Sequence, residues 1–257
     1  LPTGFKQLDE KTSGLQPSDL IIVAARPGMG KTAFALNIAQ QSAVKAGASV
    51  LIFSLEMSQE QLGQRLIAMQ ARVESEKLKK GTLDLKDWDR INFALNELNN
   101  TKIVIDDTPG ISIMEMRNKC RRLKAEQGLD LIVVDYLQLM TFDGRADSRQ
   151  QEISALSRHL KLLAREMNCP VIVLSQLSRA PELRQDKRPM LSDLRESGSI
   201  EQDADIVMFL YRDDYYNENT EKPGVCEINI AKHRSGPTDR IDLTWVARYT
   251  KFSDKAL

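Results

Sequence analysis

The feature that most constrains this chain is a set of short apolar runs, LIIVAA (20–25), VLIFSL (50–55), KIVID (102–106), LDLIVVD (129–135) and PVIVLS (170–175), separated by stretches with helical periodicity. A strand with one wet face alternates apolar and polar residues, whereas a nearly continuous apolar strand is covered on both faces. Strand–helix alternation of this kind gives an α/β fold, a mainly parallel sheet flanked by helices. The first run leads into a helix expected from Gly30 to about Ala46 and stopped by Gly47. Ser58 and Gln61 have capping-box spacing, and Leu62, Leu66, Met69 and Val73 follow on one helical face. Trp88, Ile91, Leu95 and Leu98 predict another helix, Ser112 and Glu115 cap the next, and Ile153, Leu156, Leu160, Leu163 and Met167 form a long stripe.

After Asp205 the period changes. DIVMFLY predicts a strand, then Cys226, Ile228 and Ile230 alternate, as do Ile241, Leu243 and Trp245, around the turn RSGPTD. This predicts a C-terminal antiparallel β-hairpin extending the sheet. Two polar segments, 141–151 and 176–199, read as long loops, and structureless loops of that length are functional or disordered.

Lys+Arg and Asp+Glu are both 36 in the 257 residues, so no global field draws in nucleic acid; any such binding needs a local patch or a surface shared among subunits. Cys120, Cys169 and Cys226 have neither metal nor disulfide spacing and read as reduced core residues of a cytoplasmic protein. No apolar run nears the length of a membrane span, so no membrane partner is expected. The chain begins Leu-Pro without methionine, and a longer parent protein is expected.

Ala25-x-x-x-x-Gly30-Lys31-Thr32 follows a predicted strand and opens a predicted helix, the context of a phosphate-binding loop. Gly28 and Gly30 let backbone N–H groups turn toward phosphates at a helix N-terminus. Ala25 serves in place of the usual glycine if its φ is negative. The loop residues Ala25, Arg26, Pro27, Gly28, Met29, Gly30, Lys31, Thr32 and Ala33 are the candidate binders of ATP, with Lys31 on the β/γ-phosphates. Thr32 and Asp135, at the end of a parallel strand, are the candidate ligands of Mg²⁺. Tyr136, not an acid, follows Asp135, so a general base must come from elsewhere. Glu56 reads as that base or as a first-turn acid of the following helix. Gln176 reads as a γ-phosphate sensor or a polar strand terminus, and spacing leaves both pairs of readings open.

FSLEM, LIVVDYLQLM, VIVLSQLSR, DKRPMLSDLRESGSIEQDADIVMFLYRD and IAKHRSGP together resemble the C-terminal ATPase domain of DnaB-type replicative DNA helicases of bacteria or their phages. The resemblance covers nearly the whole chain, and DLRESGSIEQDAD is its most specific part. KHRSGP departs from the family's Lys-Gln-Arg-Asn-Gly but keeps both basic positions. The resemblance implies a single RecA-like P-loop ATPase domain over residues 1–257, with an N-terminal domain and linker upstream. It implies a homo-hexamer around single-stranded DNA, moving 5′ to 3′, with ATP held between subunits and primase and a helicase loader as partners. It makes Glu56 the catalytic base and Gln176 the phosphate sensor, and it has Lys232 and Arg234 reach a γ-phosphate held by a neighbouring subunit. It places Arg195, Glu196 and Gly198 in a DNA-contact loop that grips the backbone rather than the bases. Arg145 and Arg149 in the other long segment are weaker candidates for the same channel. His233 is expected to point away from the two cations, and His159 to be structural. The alternatives are a RecA-type filament protein, a small-molecule P-loop kinase and a regulatory ATPase adaptor.

Overall fold

The structure, a computed structural model, describes residues 1–255 apart from residues 143 and 145, and omits the side chains of 195–197. Among the described residues nine strands form one sheet: β1 (Leu20–Ala25), β2 (Ser49–Ser54), β3 (Lys102–Asp106), β4 (Leu131–Asp135), β5 (Val171–Gln176), β6 (Ile206–Tyr211), β7 (Val225–His233), β8 (Asp239–Val246) and β9 (Lys251–Asp254). Their spatial order is β3-β2-β4-β5-β1-β6-β7-β8-β9. The first six strands pair parallel, and β7, β8 and β9 continue antiparallel. The helices are α1 (Lys6–Thr12), α2 (Lys31–Ala46), α3 (Gln59–Ala71), α4 (Ser75–Lys80), α5 (Leu85–Asn99), α6 (Ile113–Gln127), α7 (Arg149–Met167) and α8 (Gly198–Asp203).

The continuous apolar strands have the expected cause. On β1, Ile21, Val23 and Ala25 join the core beneath α2, while Leu20, Ile22 and Ala24 join the core beneath α6 and α7. Successive side chains point to opposite faces, so a strand between two helical layers must be apolar at every position. The α7 stripe Ile153, Leu156, Leu160, Leu163 and Met167 is buried throughout. Ser58 and Gln61 make both bonds of a capping box, whereas Ser112 accepts from Glu115 N without the reciprocal bond.

Several expectations change. KIVID forms an edge strand that is only half-buried, because β3 has a neighbour on one side alone. Trp88 is 51% exposed, and α5 packs through Ile91 and Ala94 instead. The hairpin gains a third strand, β9, whose one buried apolar residue, Phe252, is too short a signal to show alternation. The segment 176–199 is not a structureless loop. It carries 3-10 turns at Ala180–Leu183 and Leu191–Ser197, and α8 begins at Gly198. Two bidentate ion pairs hold it: Arg184 with Asp193 (2.7 and 2.7 Å) and Arg188 with Glu227 (2.7 and 2.8 Å). Both carboxylates are buried, so segment-wide polarity conceals anchoring rather than solvation. The other segment is shortened by α7, which starts at Arg149 with Ser148 as its cap.

Phe34 of α2 stacks on Phe5 and meets Phe252 edge-on, each at 5.6 Å, and so joins α2 to both ends of the chain. Phe34→Ala is expected to cost about 3–5 kcal/mol of unfolding free energy, measured by urea denaturation. A loss below about 1 kcal/mol would show that this junction does not carry the core.

Candidate functional site

Parallel register brings the candidate residues to one edge of the sheet. Ser54 pairs with Asp135 and Ala25 with Gln176, so β2, β4, β1 and β5 all deliver their carboxyl ends there. Ala25 is the last residue of β1 and lies outside the positive-φ set, so glycine is not required. Gly28 (φ +81°) and Gly30 (φ +94°) do occupy the left-handed region. A Cβ on Gly28 would come within 2.8 Å of the Tyr215 ring, and one on Gly30 within 3.1 Å of Phe252. Both positions therefore need glycine on backbone and packing grounds.

The loop and α2 border a cleft of about 290 Å³, into which Lys31, Thr32, Glu56 and Gln176 converge. Of the nine loop residues, Met29 departs from expectation. Its side chain is 1% exposed and belongs to the core, leaving only its backbone for the loop's role. Arg26 turns toward the segment after β5, donating from Nε to Glu182 (2.9 Å) and from Nη1 to the Leu177 carbonyl (2.7 Å).

Behind the cleft, Thr32 Oγ1 donates to Asp135 Oδ2 at 2.7 Å, while Asp135 Oδ1 is buried with no hydrogen-bond partner among the described residues. Lys31 Nζ lies 4.5 Å from the centre of the Tyr136 ring. Burial pushes the Asp135 carboxyl up, against the pull of Lys31 and Thr32. Burial likewise pushes Lys31 down, against Asp135 and Glu56. Each charge is thus costly without a further partner. An orphaned carboxylate oxygen beside a threonine hydroxyl fits Mg²⁺, which takes one or two protein oxygens and completes its shell with water and phosphate.

Sequence reading missed several contributors. Arg65 of α3 lines the cleft, and burial pushes its guanidinium down against the opposing pull of Asp135 and Glu56. Trp245 and Thr250 close the cleft from β8 and the turn before β9. Arg212 donates to the Gly28 carbonyl at 3.3 Å and pairs with Asp214 at 3.1 Å. The one available signal was Arg65 itself, a cation bordering the apolar stripe of a one-faced helix.

Lys232 and Arg234 do not join this cleft. Ile206 pairs with both Ile21 and His233, Arg234 N donates to the Asp205 carbonyl, and the Asp205 N–H donates to the Leu20 carbonyl. Arg234 therefore sits level with Leu20, where β1 begins, about five residues and roughly 16 Å from its loop end, and Lys232 sits level with Ile22, about three residues and roughly 10 Å from that end. Val207 is opposite Lys232, but Met208 is opposite Ile230, so Ala231 is the extra residue of a β-bulge. The bulge resets the alternation and turns Lys232 onto the Val207 face, against α8, and His233 onto the Ile206 face.

Gly198 is exposed and opens α8. The side chains of Arg195 and Glu196, and all of Arg145, lie outside the described residues. Arg149 is held on its own chain by the Gln138 carbonyl (2.6 Å) and by Glu152. His159 is exposed on α7 rather than part of the core.

Two outcomes are expected. Gly28→Ala should cost about 1–2 kcal/mol in nucleotide binding, roughly tenfold in Kd, read by fluorescence titration; unchanged affinity would remove the loop's role. A triphosphate at about 100 times Kd should stabilise the wild-type chain by about 2.7 kcal/mol. Asp135→Asn should erase only the added stabilisation that Mg²⁺ brings in thermal melts.

The family described as DnaB-like helicase C terminal domain matches residues 1–254. The chain is 58% identical over 253 residues to the replicative DNA helicase DnaC of Bacillus subtilis (strain 168) and 57% identical over 253 residues to DnaB of Geobacillus stearothermophilus. It spans 98% of itself but 56% of either relative's length. A solved ATPase domain superposes with a TM-score of 0.96 at 43% identity, over 99% of this chain and 91% of that one. A DnaB-like replicative helicase, solved in a study of its interactions with primase, gives the same score and identity over 99% of this chain and 62% of its own. The chain belongs to the DnaB-like helicase C-terminal domain family.

Proposed function

We propose that this chain is the ATP-hydrolysing motor domain of a replicative DNA helicase, working as a homo-hexameric ring on single-stranded DNA. The observation that carries this reading is the separation of Lys232 and Arg234 from their own cleft, on a strand two places from β1 and about three and five residues short of its loop end. Cations so placed have no route to the nucleotide their own chain holds, and they suit one held next door.

In this reading Lys31 and the N–H groups of the 26–33 loop hold the phosphates of ATP. Thr32 and Asp135 hold Mg²⁺, which when bound neutralises charge building between the β- and γ-phosphates. Glu56 takes the proton from the attacking water, and Gln176 faces the terminal phosphate across the same cleft. Arg65, lining that cleft with Glu56, adds positive charge for the phosphates. Lys232 and Arg234 of the adjoining subunit complete the pocket as it closes, and an arginine supplied in trans is worth about 10³–10⁵ in rate. Hydrolysis then depends on how subunits stand relative to one another.

Arg195, Glu196 and Gly198 are the proposed DNA contacts. Six copies around a channel reconcile DNA binding with a net charge of zero. Residues 1–257 act as one RecA-like domain of a longer, cytoplasmic protein, with primase and a loader as partners. No helix among the described residues is long and apolar enough to cross a membrane. Membership of the DnaB-like family favours this reading over a RecA-type filament.

The test is subunit mixing. Arg234→Ala should bind nucleotide nearly normally yet hydrolyse none, and it should depress wild-type rings out of proportion to its share. Full hydrolysis by Arg234→Ala, or a rate per chain independent of concentration, would defeat the proposal. Arg195→Ala should weaken binding of all single-stranded sequences alike and lower the salt slope by about one, measured by anisotropy against salt.

A further inference from the structure

The two cations are not free in this chain. Lys232 Nζ donates to three carbonyls at the end of α8, those of Glu201, Gln202 (3.4 Å) and Ala204 (2.7 Å). Arg234 Nη2 donates to the Gln202 carbonyl at 2.9 Å, and its Nη1 pairs with Asp205 Oδ1 at 3.3 Å. The last carbonyls of a helix carry partial negative charge and lack intrahelical partners, so cations settle there.

Asp205 is the fixed point of this cluster. It is 6% exposed, and its Oδ2 accepts from Leu20 N (2.8 Å) and from Lys161 Nζ of α7. Its carbonyl accepts from Arg234 N at 2.8 Å. One residue thus grips Arg234 by backbone and by side chain while being bound to β1 and α7. Asp19, close by, has its carboxyl pushed up by burial and then by the Asp205 charge, so this edge is a concentrated negative site facing the cations. Arg234 remains 52% exposed and can be shared with a partner. At its other end α8 follows directly on Arg195 and Glu196 and opens with Gly198. Its length is packed on α7, with Ile200 and Ala204 buried and Ser199 Oγ bonded to Ser154 Oγ at 2.6 Å.

We infer that Asp205 is a positioning residue for Arg234, holding it and, through the carboxyl end of α8, Lys232, where each can be drawn onto a neighbour's terminal phosphate. This rests on the trans-cation reading and adds a consequence. Lys232 cannot serve three α8 carbonyls and a phosphate with the same N–H bonds. Engagement by the neighbour therefore loosens the end of the helix that begins at the DNA contacts, and nucleotide in one cleft alters the DNA grip of the chain next to it. The coupling is reciprocal, since whatever factor the nucleotide makes in DNA affinity, DNA makes in nucleotide affinity.

Asp205→Asn tests the inference, because an amide oxygen still serves the Leu20 N–H while the charge facing Arg234 is gone. With the complete protein, nucleotide Kd should stay within about twofold, since the phosphate loop is at the other sheet edge. The kcat should fall about tenfold or more, part of the roughly 10³–10⁵ a trans arginine supplies. The ratio of oligo-dT affinities with a non-hydrolysable ATP analogue and with ADP should move toward one. In an Arg234→Lys background, Asp205→Asn should add little further loss of kcat, as expected if it acts through that side chain. If the amide variant does not fold, Asp205→Ser supplies a smaller acceptor for the same measurements. An unchanged kcat in a folded variant, a parallel fall in kcat and nucleotide affinity, or full additivity with Arg234→Lys would overturn the role of Asp205. Undiminished hydrolysis by Arg234→Ala alone would instead overturn the trans-cation reading beneath it.

Discussion

The hydrogen-bonded ladder of β1 with β5 on one side and β6 on the other is the constraint on which the rest depends. Its parallel register aligns Ala25 with Gln176 at one edge and, through β6 and β7, holds Arg234 level with Leu20 at the other. A slip of one residue would exchange the side chains that face the two helical layers, and both cores would be lost. Burial on both faces of β1 therefore fixes the spacing between phosphate loop and cations as firmly as it fixes the core itself.

Around that ladder the charged groups are used in two ways. Arg184–Asp193 and Arg188–Glu227 are closed pairs with both partners satisfied, and they anchor the polar segment between β5 and α8. Lys31, Asp135 and Arg65 are left with unmet bonding capacity or a burial cost that a ligand would relieve. Lys232 and Arg234 are intermediate: they are partnered, but by helix-end carbonyls and a shared carboxylate that a phosphate could displace. Contacts of this kind can be exchanged for others without great loss in either form.

The positions of most candidate residues around the cleft were legible because they follow apolar strands. Lys31, Thr32, Glu56, Asp135 and Gln176 all lie within a few residues of a strand's carboxyl end, or at it, so recognising the strands located them. Arg65, Trp245 and Thr250 were not legible. They reach the cleft from α3 and from the antiparallel extension, by the way those elements lie against α2. Met29 was placed in the loop by its neighbours, yet its side chain sits in the core. The bulge at Ala231 was equally hidden: alternation put Lys232 on the face of Ile230, and the extra residue puts it on the other.

The order of residues alone determined the parallel layers, the glycine-dependent loop and the helix caps, since each is set by local periodicity, positive φ or a side chain reaching its own backbone. Tertiary structure decided what long-range pairing decides. It ordered 176–199 through buried ion pairs, added β9, and set Lys232 and Arg234 against α8 and Asp205 rather than in their own cleft. Those outcomes depend on which strands become neighbours and in what register, and contacts between residues far apart along the chain leave no period in the sequence.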